Sequence, residues 1–236
     1  MKRSQAGVDL AMYARAVPLL LRNPTIFVMP LLAAVVDLLV QQITPFFTDA
    51  TGGAGNFLFG IVVNLVYGFC FGVAVIGANE VWRRGRTTFD EAWEEGRRKA
   101  GGILLATIGF YFLLWVAQYA GMLLGSAVAQ IALQLVAAFF LIYTIPAAAI
   151  GGMPGNYAIG ASFRAVRSSL LGTAVLAVVF VLLWIWLPDF VVDRFATGLG
   201  VIGYELTRAA IKAIVLAYLA FPFAKQYDDV AFRGFW

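Results

Sequence analysis

The apolar segments of this chain constrain its fold more than any other feature, because each is long enough to cross a membrane. Residues 101–151 carry no charged side chain, whereas about 20 mostly apolar residues span a bilayer core about 30 Å thick. This stretch therefore predicts two spanning helices, with a turn near Gly121, Gly125 and Ser126. Across the chain the same criterion predicts six spans, at about 25–47, 57–82, 102–122, 127–150, 169–187 and 199–223. The stretches TDATGGAGN (48–56) and GGMPGNYAIGASFRAVRS (151–168) predict loops before the second and fifth spans.

The composition excludes a soluble globular domain. Hydrophobic residues make up 62% of the chain and charged residues 13%, against about 45–50% and about 25% in soluble domains. Too few charged residues remain to cover a surface in water, so lipid must cover part of it. We predict an all-α, polytopic membrane helical bundle that forms a single transmembrane domain over residues 1–236.

The positions of the Lys and Arg residues predict the orientation of the bundle. Most of the 17 lie before the first span, between the second and third, between the fourth and fifth, or after the last. The opposite loops carry only Arg194. Because cytoplasmic loops are enriched in Lys and Arg, we expect both termini in the cytoplasm, in the plasma (inner) membrane of a bacterium. Positive charge at the ends of apolar segments indicates topology and does not indicate nucleic-acid binding.

Two shorter segments predict helices that lie on the membrane surface. Residues 6–22 mix apolar side chains with charged ones, as an interfacial helix does. Residues 88–100 begin with Thr88 and Glu91 at capping-box spacing and predict a cytoplasmic amphipathic helix. This second helix either connects two spans or docks a partner.

Charged side chains inside the last span need partners, since a charge at membrane depth costs about 2.5–3.5 kcal/mol on insertion scales. Glu205, Arg208 and Lys212 fall within an arc of about 60° on a helix. Asp37 in the first span and Asn64 in the second lie at comparable depth, counted at about 1.5 Å per residue. We therefore expect Asp37 to pair with Arg208 or Lys212. Glu205 and Asn64 would complete this intramembrane polar cluster.

Three arrangements of the cluster are open at this point. The charges form a structural network that locks the first helix to the sixth, or they line a water-filled cavity that admits an ion, a lipid headgroup or a small solute. In the third arrangement, residues 191–208 lie at the outer surface and Lys212 extends toward water.

Small residues recur on one face of the second span. Gly60, Gly68 and Gly72 are separated by multiples of four residues, a spacing that lets another helix backbone approach closely. The approaching helix belongs either to the same bundle or to a neighbouring subunit.

The residue types also exclude several kinds of enzymatic site. Histidine is absent and Cys70 is the only cysteine, which excludes His-ligated haem, His-based zinc or iron sites, His general bases and intrachain disulfides. The sequence contains neither a Gly-rich phosphate loop nor a nucleophile elbow. We predict no catalytic residue, no cofactor-binding residue and no metal site.

Three stretches of the chain carry a family resemblance. They read RNPTIFVMPLLAAVVDLL (22–39), GRTTFDEAWEEGRRKAGGILLATI (85–108) and IPAAAIGGMPGNYAIGASFRAVRSSLLG (145–172). The chain resembles a broad group of uncharacterised bacterial six-helix membrane proteins related to the membrane domain of glycerophosphodiester phosphodiesterases. Matching positions are Pro146, Ala161, Ser162 and Ser168. The resemblance implies a six-helix membrane fold, and it implies no catalytic residue because the phosphodiesterase catalytic domain has no counterpart here.

The short segments between the predicted spans leave little room for an independent active site. We predict a non-enzymatic structural or accessory subunit of a membrane assembly, in contact with membrane lipids and with other membrane subunits or copies of itself. The alternative is a transporter or lipid-handling protein with a polar pathway around Asp37, Arg208 and Lys212. An intramembrane enzyme, with Glu205 or Asp37 as general base, is the third possibility.

Overall fold

The computed structural model describes residues 9–51 and 54–231, without the side chains of 45–57 and 197. Within these ranges the regular elements are all helical. The α-helices are α1 (Ala11–Arg22), α2 (Val28–Thr51), α3 (Ala54–Arg84), α4 (Phe89–Arg98), α5 (Ala100–Leu123), α6 (Ala127–Leu141), α7 (Thr144–Ala149), α8 (Gly155–Ser168), α9 (Leu170–Phe180), α10 (Leu187–Phe195) and α11 (Gly200–Ala231). A 3₁₀ turn, Pro24–Phe27, leads into α2, a π-helical turn, Val181–Trp186, joins α9 to α10, and a second 3₁₀ turn, Thr197–Leu199, precedes α11.

Six segments of the fold are long and apolar enough to cross a membrane. They are Pro24–Thr44, Leu58–Arg84, Ala100–Leu123, Ala127–Ala149, Leu170–Phe195 and Gly200–Ala231. The predicted all-α bundle with six spanning helices is therefore confirmed. Large apolar side chains on its surface, such as Leu31, Val35 and Leu39 of α2, are more than half exposed. The chain is an integral membrane protein, and lipid is the solvent that suits these side chains.

The helices α3 and α11 form the centre of the bundle. Their membrane-spanning windows are 50% and 56% buried inside the protein, against 28% to 39% for the other four. Phe71 of α3 and Phe223 of α11 pack edge to face with ring centroids 5.0 Å apart, and Phe180 of α9 lies 5.9 Å from Phe223. Aromatic pairs favour this geometry, so the three rings hold two central helices and α9 together.

The structure places two of the three predicted packing glycines inside the bundle. A Cβ atom at Gly68 would overlap Thr107 of α5, and one at Gly72 would lie 2.7 Å from Ile103 Cγ2. A Cβ at Gly60 meets no heavy atom of the described residues within 4 Å. Gly68 and Gly72 therefore serve the packing of α3 on α5, while Gly60 lies outside that contact.

The helix α4 packs its aromatic face on α3. The predicted capping box is confirmed, because Thr88 Oγ1 accepts from Glu91 N and Glu91 Oε2 accepts from Thr88 N, both at 3.3 Å. Phe89 stacks on Trp93, whose ring meets Phe69 of α3 edge to face at 6.0 Å. The apolar face of α4 is thus used within the chain, as a connector helix would use it.

The predicted surface helix 6–22 corresponds to α1, and its residues 6–8 lie outside the described part. Met12, Ala16 and Leu20 of α1 are buried, and Tyr218 of α11 donates a hydrogen bond to the Tyr13 carbonyl at 3.2 Å. One side of α1 therefore rests on α11.

The segment after the fourth span differs from its prediction as a loop. Residues Gly155–Ser168 form α8, in which Ala158, Ala161 and Ala165 are buried at helical spacing. Small side chains let α8 approach α5 closely, since a Cβ at Gly155 would overlap Leu105. The Gly, Ser and Ala content that suggests a loop in the sequence is what this close packing requires.

The fourth span agrees with its predicted bounds, at Ala127–Ala149, but its helix is interrupted. The helix breaks after Leu141 and resumes as α7. Ser162 of α8 fills the break by accepting a hydrogen bond from Tyr143 N at 3.1 Å and donating one to the Phe140 carbonyl at 2.8 Å. A buried hydroxyl from a neighbouring helix thus satisfies backbone groups that the break releases.

The fifth span, predicted to end at residue 187, continues past Pro188. A π-helical turn over Val181–Trp186 leads into α10, where Pro188 lies in the first turn. Proline has no N–H to donate, and the π-helical turn directly before it is where the regular α-helical hydrogen-bond pattern is interrupted. The segment between the first two spans, predicted as a loop, is also partly helical, since α2 reaches Thr51 and α3 begins at Ala54.

Candidate functional site

The charged stripe on α11 meets α2 through an ion pair between Lys212 and Asp37. Lys212 Nζ lies 2.9 Å from Asp37 Oδ2. Both side chains are largely enclosed by protein, with exposed fractions of 16% for Lys212 and 6% for Asp37. Enclosure in a medium of low polarity strengthens the attraction and makes an unpaired charge costly.

Two further side chains complete the surroundings of Asp37. Gln41, one helical turn along α2, donates to Asp37 Oδ1 at 2.9 Å, and Tyr67 of α3 donates to Asp37 Oδ2 at 2.9 Å. The Tyr67 ring also lies beneath Lys212 Nζ, which is 5.3 Å from the ring centroid, and packs edge to face on Trp184 at 5.1 Å. The carboxylate thereby receives three donors, and three spanning helices meet at one point.

Arg208, the other expected partner of Asp37, binds a different helix. Its Nε lies 3.0 Å from Asp189 Oδ1 of α10, although the angle there is not that of a hydrogen bond. One turn earlier, Tyr204 donates to Asp193 of α10 at 3.0 Å. The charged stripe therefore divides, since Lys212 engages α2 while Arg208 and Tyr204 engage α10.

The two remaining members of the predicted cluster lie apart from the ion pair's hydrogen bonds. Glu205 is half-buried, and its Oε2 accepts no hydrogen bond from the described residues. Asn64 is half-buried on α3, one turn before Tyr67. Gln41 and Tyr67 occupy the positions around Asp37 that the sequence assigned to Glu205 and Asn64.

The length of α11 bears on where the charges lie in the membrane. At about 1.5 Å per residue, its 32 residues extend about 48 Å, more than a hydrocarbon core about 30 Å thick. The ends of α11 therefore extend beyond the core. Lys212 lies two helical turns further from the Gly200 end of α11 than Glu205 does, and Arg208 lies between them. This order favours a position deep in the hydrocarbon core for the Asp37–Lys212 pair and a position nearer its boundary for Arg208.

A second polar region, which the sequence analysis did not predict, lies at the C-terminal end of α3, away from Asp37. An open cleft of about 560 Å³ separates the last turns of α3 from α4, Lys99 and the end of α7. Lys99 Nζ donates to the Ala149 carbonyl at 2.7 Å and pairs with Glu95 at 2.8 Å. The hydrogen bond from Lys99 lowers the pKa of the Glu95 carboxyl. Glu91, Glu95 and Lys99 follow one another at steps of four residues, which is the sequence signal for a polar face here.

The interior cavity near the middle of the bundle is small and apolar. It lies among Gly68, Phe110, Ile142, Trp184 and Phe223. Its volume of about 10 Å³ is about that of one water probe. A ligand of drug or cofactor size would need a far larger space.

The described residues hold no group of three or more His, Cys, Asp or Glu side chains arranged to bind a metal ion. Cys70 is buried, with 1% of its surface exposed.

Comparison with protein-family models, curated proteins and solved structures finds no match to this chain. The resemblance to bacterial six-helix membrane proteins consequently stays a prediction from the motifs quoted above.

Proposed function

We propose that this integral membrane protein is a non-enzymatic structural or accessory subunit of a membrane assembly. The enclosed Asp37–Lys212 pair is the observation that carries this proposal. A group that moves ions or protons has to exchange partners, whereas Asp37 is held by three donors from α2, α3 and α11. Such a carboxylate suits a fixed joint between helices.

The alternative of a transporter with a pathway around Asp37, Arg208 and Lys212 requires water to reach the charges. The exposed fractions of 6% for Asp37 and 16% for Lys212 count against that route, as does the small apolar cavity in the middle of the bundle. An ion pair this enclosed, with its carboxylate held by three donors, suits a structural contact between helices.

The surface of the bundle supplies the second support for an accessory role. Apolar side chains such as Phe112, Val116 and Val128 of α5 and α6 are about half or more exposed, and they suit contact with lipid or with another spanning helix. The proposed partners are membrane lipids and either other membrane subunits or further copies of this chain. The proposed location is the plasma membrane of a bacterium, with both termini in the cytoplasm.

The test is purification of the full chain in a native-like membrane mimic, followed by native mass spectrometry of the intact particle. The proposal expects a particle of constant stoichiometry that contains additional membrane subunits or several copies of the chain. The Asp37→Leu/Lys212→Met double variant, which replaces the pair by apolar groups, should assemble into the same particle. A monomer, with or without bound lipid, would contradict the accessory role.

A further inference from the structure

The cleft at the end of α3 lies far along the bundle from Asp37 and is independent of the accessory role. Its floor and one wall come from the last turns of α3, where Ile76, Asn79, Glu80 and Arg83 follow the spacing of one helix face. The opposite wall comes from α4, Lys99 and the carbonyl groups at the end of α7. Because α3 leaves its apolar span here, the cleft lies at the level where a bilayer changes from hydrocarbon to headgroups.

The inner part of the cleft is rich in hydrogen-bond acceptors. Asn79 is only 6% exposed, and its Oδ1 accepts no hydrogen bond from any described residue. The adjacent Glu80 carboxylate is buried at Oε2, which lies 3.1 Å from Arg84 Nε without hydrogen-bond geometry. A buried acceptor without a donor, as at Asn79 Oδ1, is rare in folded proteins and costly, whereas Glu80 has Arg84 as a charged partner. A donor from a bound molecule would satisfy Asn79 Oδ1.

The rim of the cleft has the opposite character. The side chains of Arg83 and Arg84 are 50% and 70% exposed and lie one helical turn beyond Asn79 and Glu80. Arg83 pairs with Asp228 of α11 at 2.6 Å, which fixes its guanidinium while leaving donors free to bind. Exposed guanidinium groups beside a membrane surface bind phosphate through several N–H groups at once.

We propose that this cleft binds a molecule that joins a primary ammonium group to a phosphate. The ammonium would donate to Asn79 Oδ1 and the Glu80 carboxylate, and the phosphate would bind Arg83 and Arg84. The ethanolamine headgroup of a phospholipid has this chemistry, and so does free phosphoethanolamine in water. The cleft volume of about 560 Å³ falls within the range of about 300–1,000 Å³ typical of ligand sites.

The primary ammonium is the distinguishing part of the ligand. A choline headgroup has the same phosphate and the same positive charge, yet its trimethylammonium carries no N–H group to donate to Asn79. A glycerol headgroup offers the phosphate without the ammonium. Losing one hydrogen bond to a charged group is worth about tenfold in affinity. The site should therefore bind the ethanolamine headgroup more tightly than the choline or the glycerol headgroup.

The experiment is a binding titration of the purified full chain in detergent. The probes are dihexanoyl phosphatidylethanolamine, phosphatidylcholine and phosphatidylglycerol, with O-phosphoethanolamine as the soluble probe. We expect the ethanolamine lipid to bind about tenfold more tightly than the choline lipid. Equal binding of the two lipids would overturn the proposal. Displacement of the lipid by O-phosphoethanolamine at similar concentration identifies the free headgroup as a ligand, whereas binding of the lipid alone identifies the bilayer as the source.

Variants locate the binding in the cleft. Asn79→Leu removes an acceptor that is already without a donor, so it should leave the fold intact and reduce ethanolamine-lipid affinity to the level of choline lipid. Glu80→Gln is the second variant at the ammonium end, and Arg84→Gln should weaken all phosphate-bearing probes. Arg97→Gln, on an exposed face of α4 and paired with Glu94, is the control that should bind as the unchanged chain does. Unchanged binding by both Asn79→Leu and Glu80→Gln would overturn the proposal.

Discussion

Lys212 of α11 donates to Asp37 of α2 at 2.9 Å across 175 residues of sequence. Among the ion pairs in the described part of the chain it has the most enclosed partners, at 16% and 6% exposure. The pair between Arg208 and Asp189, one turn away, has exposures of 30% and 51%. Two salt bridges on one helix face therefore differ in their contact with solvent. Breaking the enclosed Asp37–Lys212 pair should lower the free energy of unfolding more than breaking the exposed Asp189–Arg208 pair.

The packing of α3 on α5 depends on the absence of side chains at two glycines. We expect Gly68→Ala to lower the free energy of unfolding by about 1–3 kcal/mol, because its methyl group would overlap Thr107. Gly60→Ala is the matched control on the same helix, and it should be neutral or slightly stabilising since space is open there. Unfolding in mixed micelles, followed by circular dichroism, measures both. Equal effects of the two substitutions would show that α3 does not pack on α5 through this face.

The break between α6 and α7 should depend on one hydroxyl group. Ser162→Ala removes the acceptor for Tyr143 N and the donor to the Phe140 carbonyl, which leaves buried backbone groups unpaired. We expect a loss of about 1–3 kcal/mol in the free energy of unfolding. Ser168→Ala is the control, because Ser168 Oγ donates to the Ala165 carbonyl within its own helix. A loss from Ser168→Ala as large as that from Ser162→Ala would contradict the special role of Ser162.

The proposed orientation predicts which loops face the cytoplasm. Cys70 is buried, so an added cysteine can be labelled selectively. We expect Leu124→Cys, at the turn between α5 and α6, to react with a membrane-impermeant maleimide on intact spheroplasts. Arg97→Cys, on α4, should react only after the cells are opened. The reverse pattern would place both termini outside the cytoplasm.

The six spans and the depth of the charged groups were accessible to sequence reasoning because both depend on distance along a helix. Which of Lys212 and Arg208 pairs with Asp37 could not be predicted from the sequence. Asp189 becomes a partner of Arg208 only because the helix continues through Pro188. Gln41 follows Asp37 by one turn and could have been identified from spacing alone. Tyr67 could not, because the rotation of α3 about its axis depends on how Gly68 and Gly72 pack against α5.

The sequence analysis did not predict the cleft, because the cleft also depends on how distant segments pack together. Its α4 wall repeats charged residues at steps of four, which is visible in the sequence. Its other wall includes the carbonyl groups of Ala149 and Ile150, which exist as a surface only because the fourth span breaks and α7 ends beside Lys99. The break in turn depends on Ser162 in a segment that reads as a loop. A site formed by irregular backbone of distant segments has no periodic signal in the sequence.

The most direct test of the account is a double-mutant cycle on Asp37 and Lys212, measured as the free energy of unfolding in mixed micelles. Asp37→Leu and Lys212→Met should each cost about 3–5 kcal/mol, because each leaves an enclosed charge without its partner. The double variant should cost less than either single variant. Asp189→Asn and Arg208→Gln, the matched control pair, should each cost about 1 kcal/mol or less, with a coupling energy of less than about 1 kcal/mol between them. Additive losses at Asp37 and Lys212 would contradict a structural joint between α2 and α11.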